Sequence, residues 1–212
     1  MEHKEWMRPE DIERRSMEII EQEMPAGNWT LGERAVVKRC IHTSADFDYA
    51  SNLYFSPGAV EQAIEILRAG AGIVTDTNMA AAGINKKVLG RLGGTIHCFM
   101  AAEDVAEEAT RRGITRAVVS MERAAKLNGP VIFAIGNAPT ALLRLDEMIR
   151  AGELVPSLVI AVPVGFVNVE ESKERICTAG VPCIIARGRK GGSNIAGAIC
   201  NALLYQTGRK GK

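Results

Sequence analysis

From residue 57 onward, short apolar runs alternate with segments whose apolar positions have helical spacing. This pattern is typical of parallel strands that are joined and covered by helices. It predicts core strands at 72–75, 95–99, 131–135, 158–162 and 182–186, and helices at 59–69, 103–112, 115–127, 140–151, 170–179 and 194–206. We therefore expect an α/β protein, a three-layer α/β/α fold with a mainly parallel central sheet of about five strands.

The first third of the chain has helical spacing instead. Ile12, Ser16, Ile19 and Ile20 form one stripe, and Ser16 interrupts its otherwise apolar face. A second helix is predicted at 31–41, after a break at 25–28 that contains proline and glycine. N-terminal helices are thus expected to precede the sheet.

The length and composition suit one ordinary domain. The chain has 212 residues, of which 47% are hydrophobic and 24% are charged, as in soluble globular proteins. We expect a single domain over 1–212 with one full hydrophobic core. The glycine- and lysine-rich stretch at about 208–212 is expected to be a disordered tail.

Charge, hydropathy and cysteine spacing exclude several classes of partner. A formal net charge of +1 gives no general reason to bind nucleic acid. No apolar run approaches the ~20 residues that span a bilayer, and the polar start is not a secretory signal, so we expect a cytoplasmic protein without a membrane partner. The five cysteines, Cys40, Cys98, Cys177, Cys183 and Cys200, lack paired spacing, so we expect reduced, mostly buried thiols and no metal site.

The segments that follow the predicted strands are the natural places for a ligand. In open parallel sheets ligands bind beyond the carboxyl ends of the strands. The segments there are 76–79, 136–140, 163–168 and 187–193, and each joins a strand to a helix start through small or capping residues. Several helix N-termini at one rim would suit an anionic ligand, although each loop alone is explained by turn chemistry.

The loop at 187–193 adds three cations, Arg187, Arg189 and Lys190, which are either ligand contacts or solvated surface charges. The loop lacks the Gly-Lys-Ser/Thr order of a Walker A motif and the glycine spacing of a dinucleotide-binding motif. ATP or NAD binding is therefore disfavoured.

His42 is the most informative of the three histidines. His97 lies inside a strand-like run, which favours a core role, and His3 is expected to be exposed. In a helix, Arg39 and Asp46 would share a face with His42, because they lie three and four residues away. An imidazole with an ordinary pKa of ~6.5 between a cation and a carboxylate is suited to proton transfer near an anionic ligand, although a structural histidine at a helix end is an alternative.

Four motifs occur in order along the chain: Arg-Cys-Ile-His at 39–42, Ala-Ile-Gly-Asn-Ala-Pro-Thr-Ala-Leu at 134–142, Pro-Val-Gly-Phe-Val at 163–167 and Arg-Gly-Arg-Lys-Gly-Gly-Ser at 187–193. With them the chain resembles the precorrin-8X methylmutase family, including its cobalt-precorrin-8 members. The resemblance extends from about residue 11 to about residue 204.

The resemblance implies an isomerase of cobalamin biosynthesis, which moves a methyl group from C-11 to C-12 of the corrinoid macrocycle to give hydrogenobyrinic or cobyrinic acid. It implies that His42 donates and accepts the catalytic proton and that Ser16 and Arg39 contact the substrate. We add Thr43, Asn137, Arg187 and Ser193 as candidate substrate contacts, since they lie beside His42 or at the strand ends. The resemblance also implies a homodimer, and a methyl shift of this kind needs no protein-bound cofactor.

Two other functions stay open at this point. A corrinoid-binding or carrier protein would hold the macrocycle without turnover, and Ser16 could bond its own helix backbone rather than a ligand. A nucleotide- or phosphate-binding α/β enzyme would use the loop at 187–193. The sequence does not say whether the substrate carries cobalt.

Overall fold

The protein is described from a computed structural model, which covers residues 8–208. His3 and the end of the expected tail, residues 209–212, lie outside the described residues. Within 8–208 no helix is long and apolar enough to cross a membrane.

The centre of the fold is a six-stranded sheet. Its strands are β1 (Leu53–Phe55), β2 (Gly72–Thr75), β3 (Ile96–His97), β4 (Val131–Ile135), β5 (Leu158–Ala161) and β6 (Cys183–Ala186). They lie in the order β1-β6-β5-β4-β2-β3, and every neighbouring pair is parallel except β1 with β6. The mainly parallel sheet is confirmed, with one strand more than the five that the apolar runs indicate.

The helices of the described chain connect and cover these strands. They are α1 (Pro9–Glu23), α2 (Leu31–Ser44), α3 (Tyr49–Asn52), α4 (Ala59–Arg68), α5 (Asn78–Gly83), α6 (Lys86–Arg91), α7 (Glu103–Arg112), α8 (Arg116–Ala124), α9 (Pro139–Arg150), α10 (Val169–Cys177) and α11 (Ser193–Gln206). The two N-terminal helices precede the sheet, as expected.

Alternate residues of the strands face two separate apolar cores, which makes the fold three-layered. Ile132 of β4 packs into a core with α1, α2, α4 and α11, whereas the adjacent Phe133 packs against α8, α9 and α10. Both residues are fully buried, as parallel strands covered on both faces must be. The predicted α/β/α architecture is therefore confirmed.

The strand order places a crevice between β2 and β4. From β2 the chain passes to β3 at one edge, and it then crosses to β4, β5 and β6 on the other side of β2. The loops at the carboxyl ends of β2 and β4 thus leave the sheet in opposite directions, the arrangement that opens a ligand crevice in doubly wound sheets.

Two local predictions differ from the structure. The strand predicted at 95–99 pairs over Ile96–His97 alone, and His97 is half-buried with its Nε2 atom 2.8 Å from Oγ1 of Thr95. The prediction of mostly buried thiols agrees with the structure, since all five cysteines are free and three are buried, while Cys98 and Cys177 are half-buried.

Candidate active site

His42 lies in the last turn of α2. The helix begins with a capping box, in which the side chains of Thr30 and Glu33 accept from each other's backbone N–H groups. One side of the helix is buried through Val36, Val37, Cys40 and Ile41. His42 is half-buried at the margin of this apolar side. Within residues 8–208 neither imidazole nitrogen has a hydrogen-bond partner, so both are available to a ligand.

Arg39 lies one turn before His42 on the same side of α2. Its Nη1 atom donates to Oε1 of Glu13 at 3.0 Å, and its guanidinium carbon lies 5.5 Å from the ring centroid of Tyr205. The Tyr205 hydroxyl in turn accepts from Nδ2 of Asn85 at 3.3 Å. A carboxylate and an aromatic face thus hold the guanidinium in place beside His42.

Ser16 lies on the face of α1 that turns toward α2, because it is three residues from Glu13, the partner of Arg39. Its Oγ atom donates to the backbone oxygen of Ile12 at 2.8 Å. Ser16 thus makes the hydrogen bond to its own helix backbone that is the alternative to a ligand contact. Its hydroxyl oxygen can still accept a hydrogen bond from a ligand. Thr43 is exposed on the turn that carries His42.

Asp46 does not share the helical face of His42, and that part of the sequence prediction is wrong. The helix ends at Ser44 because Ala45 adopts a left-handed conformation with φ 54°. The Asp46 carboxylate accepts from the Asp48 backbone N–H at 3.0 Å and from Nζ of Lys190 at 2.6 Å. The hydrogen bond from Lys190 lowers the pKa of the Asp46 carboxyl group. Asp46 is therefore paired with Lys190 rather than with His42.

Each cation of the 187–193 loop is paired with a carboxylate of the chain. Arg187 lies over the ring of Tyr54 at 4.8 Å and 3.6 Å from Glu174, and Arg189 lies 2.9 Å from Glu170. Lys190 contacts Asp46 and Asp48. The loop therefore offers little uncompensated charge to a phosphate, which disfavours the nucleotide-binding alternative.

Arg187 lies on the other side of the sheet from His42. Its partners Tyr54 and Cys177 belong to the core that α8, α9 and α10 share, whereas α2 packs on the opposite core. The structure thus places Arg39, His42 and Thr43 together on α2 and Ser16 on the adjacent α1, and it leaves Arg187 apart from them.

The strand-end loops of β2, β4 and β6 interlock around a buried carboxylate, Asp76. It accepts from the backbone N–H groups of Gly136 at 2.9 Å, Asn137 at 2.7 Å and Ala138 at 2.6 Å. Burial raises the pKa of Asp76, and these three hydrogen bonds oppose that rise. The sequence identifies 76–79 as a strand-end segment suited to a ligand but gives Asp76 no role of its own, although an aspartate directly after a buried strand is a usable signal.

Ser193 begins α11 beside this carboxylate. Its Oγ atom lies 2.7 Å from Oγ1 of Thr77, the N-cap of α5. The Asn137 side chain is exposed and lines a cavity of about 590 Å³ together with Asp76, Thr77, Asn78, Met100, Ala101, Thr115, Arg116, Ala117, Ala138 and Thr140. The cavity occupies the crevice that the strand order opens.

A buried lysine, to which the sequence pattern assigned no role, supports the loop after β6. Lys173 of α10 is fully buried, and its Nζ atom donates to the backbone oxygens of Gly188 at 2.7 Å and Lys190 at 2.9 Å. Burial lowers the pKa of Lys173 to about 8. Its position on the apolar stripe of α10, with Val169 and Ile176, was the available signal.

The described residues contain no group of three or more histidine, cysteine, aspartate or glutamate side chains that could hold a metal ion. The candidate site is thus built from one imidazole, one guanidinium and hydroxyl groups. It can donate or accept a proton at His42 and can bind a carboxylate at Arg39.

Comparison with known proteins identifies the family of the chain. The CbiC family, precorrin-8X methylmutase, matches residues 11–206. The chain is 43% identical to a cobalt-precorrin-8 methylmutase of Priestia megaterium over 93% of this chain and 88% of that protein. It is also 43% identical to a precorrin-8X methylmutase of Pseudomonas aeruginosa over 79% of this chain and 81% of that one.

The fold comparison gives the same result. A crystal structure of a precorrin-8X methylmutase from Thermus thermophilus superposes with a TM-score of 0.85 and 39% identity, covering 92% of this chain and 96% of that one. A family match over most of the chain, together with relatives of this similarity, fixes the assignment: the chain belongs to the precorrin-8X methylmutase family.

Proposed function

We propose that this protein moves a methyl group from C-11 to C-12 of precorrin-8 or cobalt-precorrin-8, giving hydrogenobyrinic or cobyrinic acid, and that His42 supplies the proton that assists the migration. The relatives' names support the reaction. The observation that carries the role of His42 is its pair of unbonded imidazole nitrogens beside an anchored Arg39. The cobalt, where present, belongs to the substrate.

The reaction requires the protein mainly to transfer a proton and to orient the macrocycle. The methyl group migrates within one molecule, so bringing two reactants together contributes nothing to the rate. Protonation of the conjugated ring system lowers the barrier to migration, and a positioned general acid typically contributes about 10²–10⁴-fold. Histidine is the side chain that enzymes use most often for general acid–base catalysis.

The acidic arms of the macrocycle provide handles at its rim. Arg39 is placed to bind one carboxylate, with Ser16 and Thr43 as hydrogen-bonding neighbours. Ser193 and Asn137 would contact the macrocycle on the side of the strand-end crevice. Arg187 contacts Tyr54 on the other side of the sheet from His42, so we assign it the least direct role.

We further propose that the protein is a cytoplasmic homodimer. The cavity of about 590 Å³ at the strand ends is not lined by His42, and Thr43 beside His42 is exposed, so a single chain leaves a large macrocycle incompletely enclosed. A second copy would complete the enclosure of the substrate.

An absorbance assay tests the function. The methyl shift changes the conjugation of a coloured macrocycle, so excess protein should convert the spectrum of precorrin-8 or cobalt-precorrin-8 into that of the corrin product. A macrocycle that binds while its conjugation stays unchanged would instead indicate the carrier function. Comparing both substrates at equal concentration also shows which one the protein prefers.

A further inference from the structure

Lys190 connects the loop after β6 to the end of the helix that carries His42. Its Nζ atom lies 2.6 Å from Oδ2 of Asp46 and 2.5 Å from Oδ2 of Asp48, so one ammonium bridges two carboxylates. Asp46 and Asp48 follow α2 directly, and Asp46 is four residues from His42. The bridge raises the pKa of Lys190, so the ammonium stays charged at every working pH.

Hydrogen bonds hold the backbone of the loop that contains Lys190. Lys173, fully buried in α10, donates to the backbone oxygens of Lys190 and Gly188. The neighbouring Arg189 oxygen accepts from the Gly165 N–H at 3.2 Å, and the Gly192 N–H donates to the Val162 oxygen at 2.8 Å. The bridge therefore begins at an anchored loop, unlike most exposed ion pairs.

The other end of the bridge is the C-terminal cap of α2. The left-handed Ala45 turns the chain away from the helix, and the Asp46 N–H donates to Oγ of Ser44 at 3.2 Å. The Ala45 N–H donates to the Ile41 backbone oxygen at 2.7 Å and completes the last turn of the helix. Two hydrogen bonds therefore connect Asp46 and Ala45 to the turn that contains His42.

We propose that Lys190 is a positioning residue for the methyl shift: by bridging Asp46 and Asp48 it fixes the last turn of α2, and with it the His42 imidazole, relative to the strand-end rim. The inference rests on the proposed role of His42. Lys190 is not an anion-binding residue, because one ammonium and two carboxylates leave a net charge of −1 that repels the carboxylates of a substrate.

Two variants and a matched control test this inference. Lys190→Met keeps the length of the side chain and removes its charge, and Lys190→Arg keeps the charge and can still bridge two carboxylates. Arg189→Met is the control, since it removes an exposed cation from the same loop, together with its ion pair with Glu170 and its contact with the ring of Phe166, without touching α2. Turnover is followed by absorbance, and backbone hydrogen exchange is measured at residues 40–46.

For Lys190→Met we expect a kcat about tenfold lower, a KM within about twofold of wild type and faster exchange at 40–46, because small displacements of catalytic groups cost about that much or more. Lys190→Arg should recover most of kcat, and Arg189→Met should match wild type in both measurements. Asp46→Asn combined with Asp48→Asn should lower kcat as Lys190→Met does, and adding Lys190→Met should lower it no further.

Two results would overturn the inference: an unchanged kcat in Lys190→Met, with or without a raised KM, or unchanged exchange at 40–46. The first would show that Lys190 does not position His42, and the second would show that the bridge does not hold the end of α2. Failure of the proposed function is seen separately, as no conversion of the macrocycle by the wild-type protein, and failure of the proposed role of His42 is seen as full turnover by His42→Ala. Exchange at 40–46 depends on neither result.

Discussion

Asp76 accepts a hydrogen bond from the backbone N–H of Gly136 at 2.9 Å, inside the crevice where the chain reverses its direction across the sheet. The same carboxylate accepts from two further backbone N–H groups of the loop, so it occupies a position that an anionic ligand could otherwise take. This carboxylate holds the loops after β2 and β4 together.

Asp76→Ala should lower the free energy of unfolding by about 3 kcal/mol, because it leaves several buried donors without an acceptor. Asp76→Asn should cost less, since the amide oxygen still accepts. Urea unfolding of both variants measures the difference. Asp104→Ala, which removes an exposed ion pair with Arg123, is the control and should leave the stability unchanged. Wild-type stability in Asp76→Ala would contradict the role assigned to this carboxylate.

Gly136 is required by the close approach of two loops. A Cβ atom at this position would lie 2.7 Å from Cα of Ser193 and 2.8 Å from the Gly192 oxygen. Gly136→Ala should therefore cost about 2 kcal/mol of stability and displace the start of α11.

Gly90→Ala is the matched control for Gly136→Ala. Gly90 lies in α6 with open space around it, so alanine there should be neutral or stabilise by about 0.5 kcal/mol. Thermal unfolding of the two variants distinguishes a packing requirement from a general intolerance of alanine. Equal stability of the two variants would show that the loops can separate without cost.

The buried Lys173 predicts a specific pH dependence of stability. Burial lowers its pKa from 10.5 to about 8, so the unfolded chain binds this proton more tightly than the folded chain does. Stability should rise with pH between about 8 and 10.5, by up to about 3 kcal/mol relative to Lys173→Met, which lacks the proton. Urea unfolding of both proteins at pH 7.5 and pH 10 measures the change. Parallel pH dependences would contradict it.

Arg39 should contribute to substrate binding. Arg39→Met removes a charged donor that Glu13 and Tyr205 hold beside His42, and we expect binding of the macrocycle to weaken by about 10- to 100-fold. Arg34→Met is the control, because Arg34 also lies in α2 and pairs with a glutamate of α1, Glu21. Titration followed by absorbance measures both affinities. Equal weakening in the two variants would point to the packing of α1 against α2 instead.

The regular elements were predictable where periodicity was strong. The strands β2, β4, β5 and β6 are apolar runs buried on both faces, and each appears within a residue or two of its predicted bounds. The edge strand β1 was missed because it has three residues and pairs antiparallel with β6, a partner 130 positions later along the chain. The six-residue helices α5 and α6 are too short to show a clear period.

The candidate site was predictable within α2 and not beyond it. Helical spacing placed Arg39 and His42 together correctly. It failed for Asp46, because the left-handed Ala45 ends the helix and the Asp46 carboxylate instead contacts Lys190, which is 144 residues away along the chain. Nothing local to residues 187–190 shows that Glu174, Glu170, Asp46 and Asp48 pair with their cations. Such pairings depend on the three-dimensional arrangement of α10 and α2.

The central claim is that His42 supplies the proton for methyl migration. The most direct test is a single-turnover conversion of cobalt-precorrin-8 by excess wild-type protein and excess His42→Ala, followed by absorbance. We predict that His42→Ala binds the macrocycle and converts it about 10²–10⁴-fold more slowly. Conversion by His42→Ala at the wild-type rate would contradict the claim.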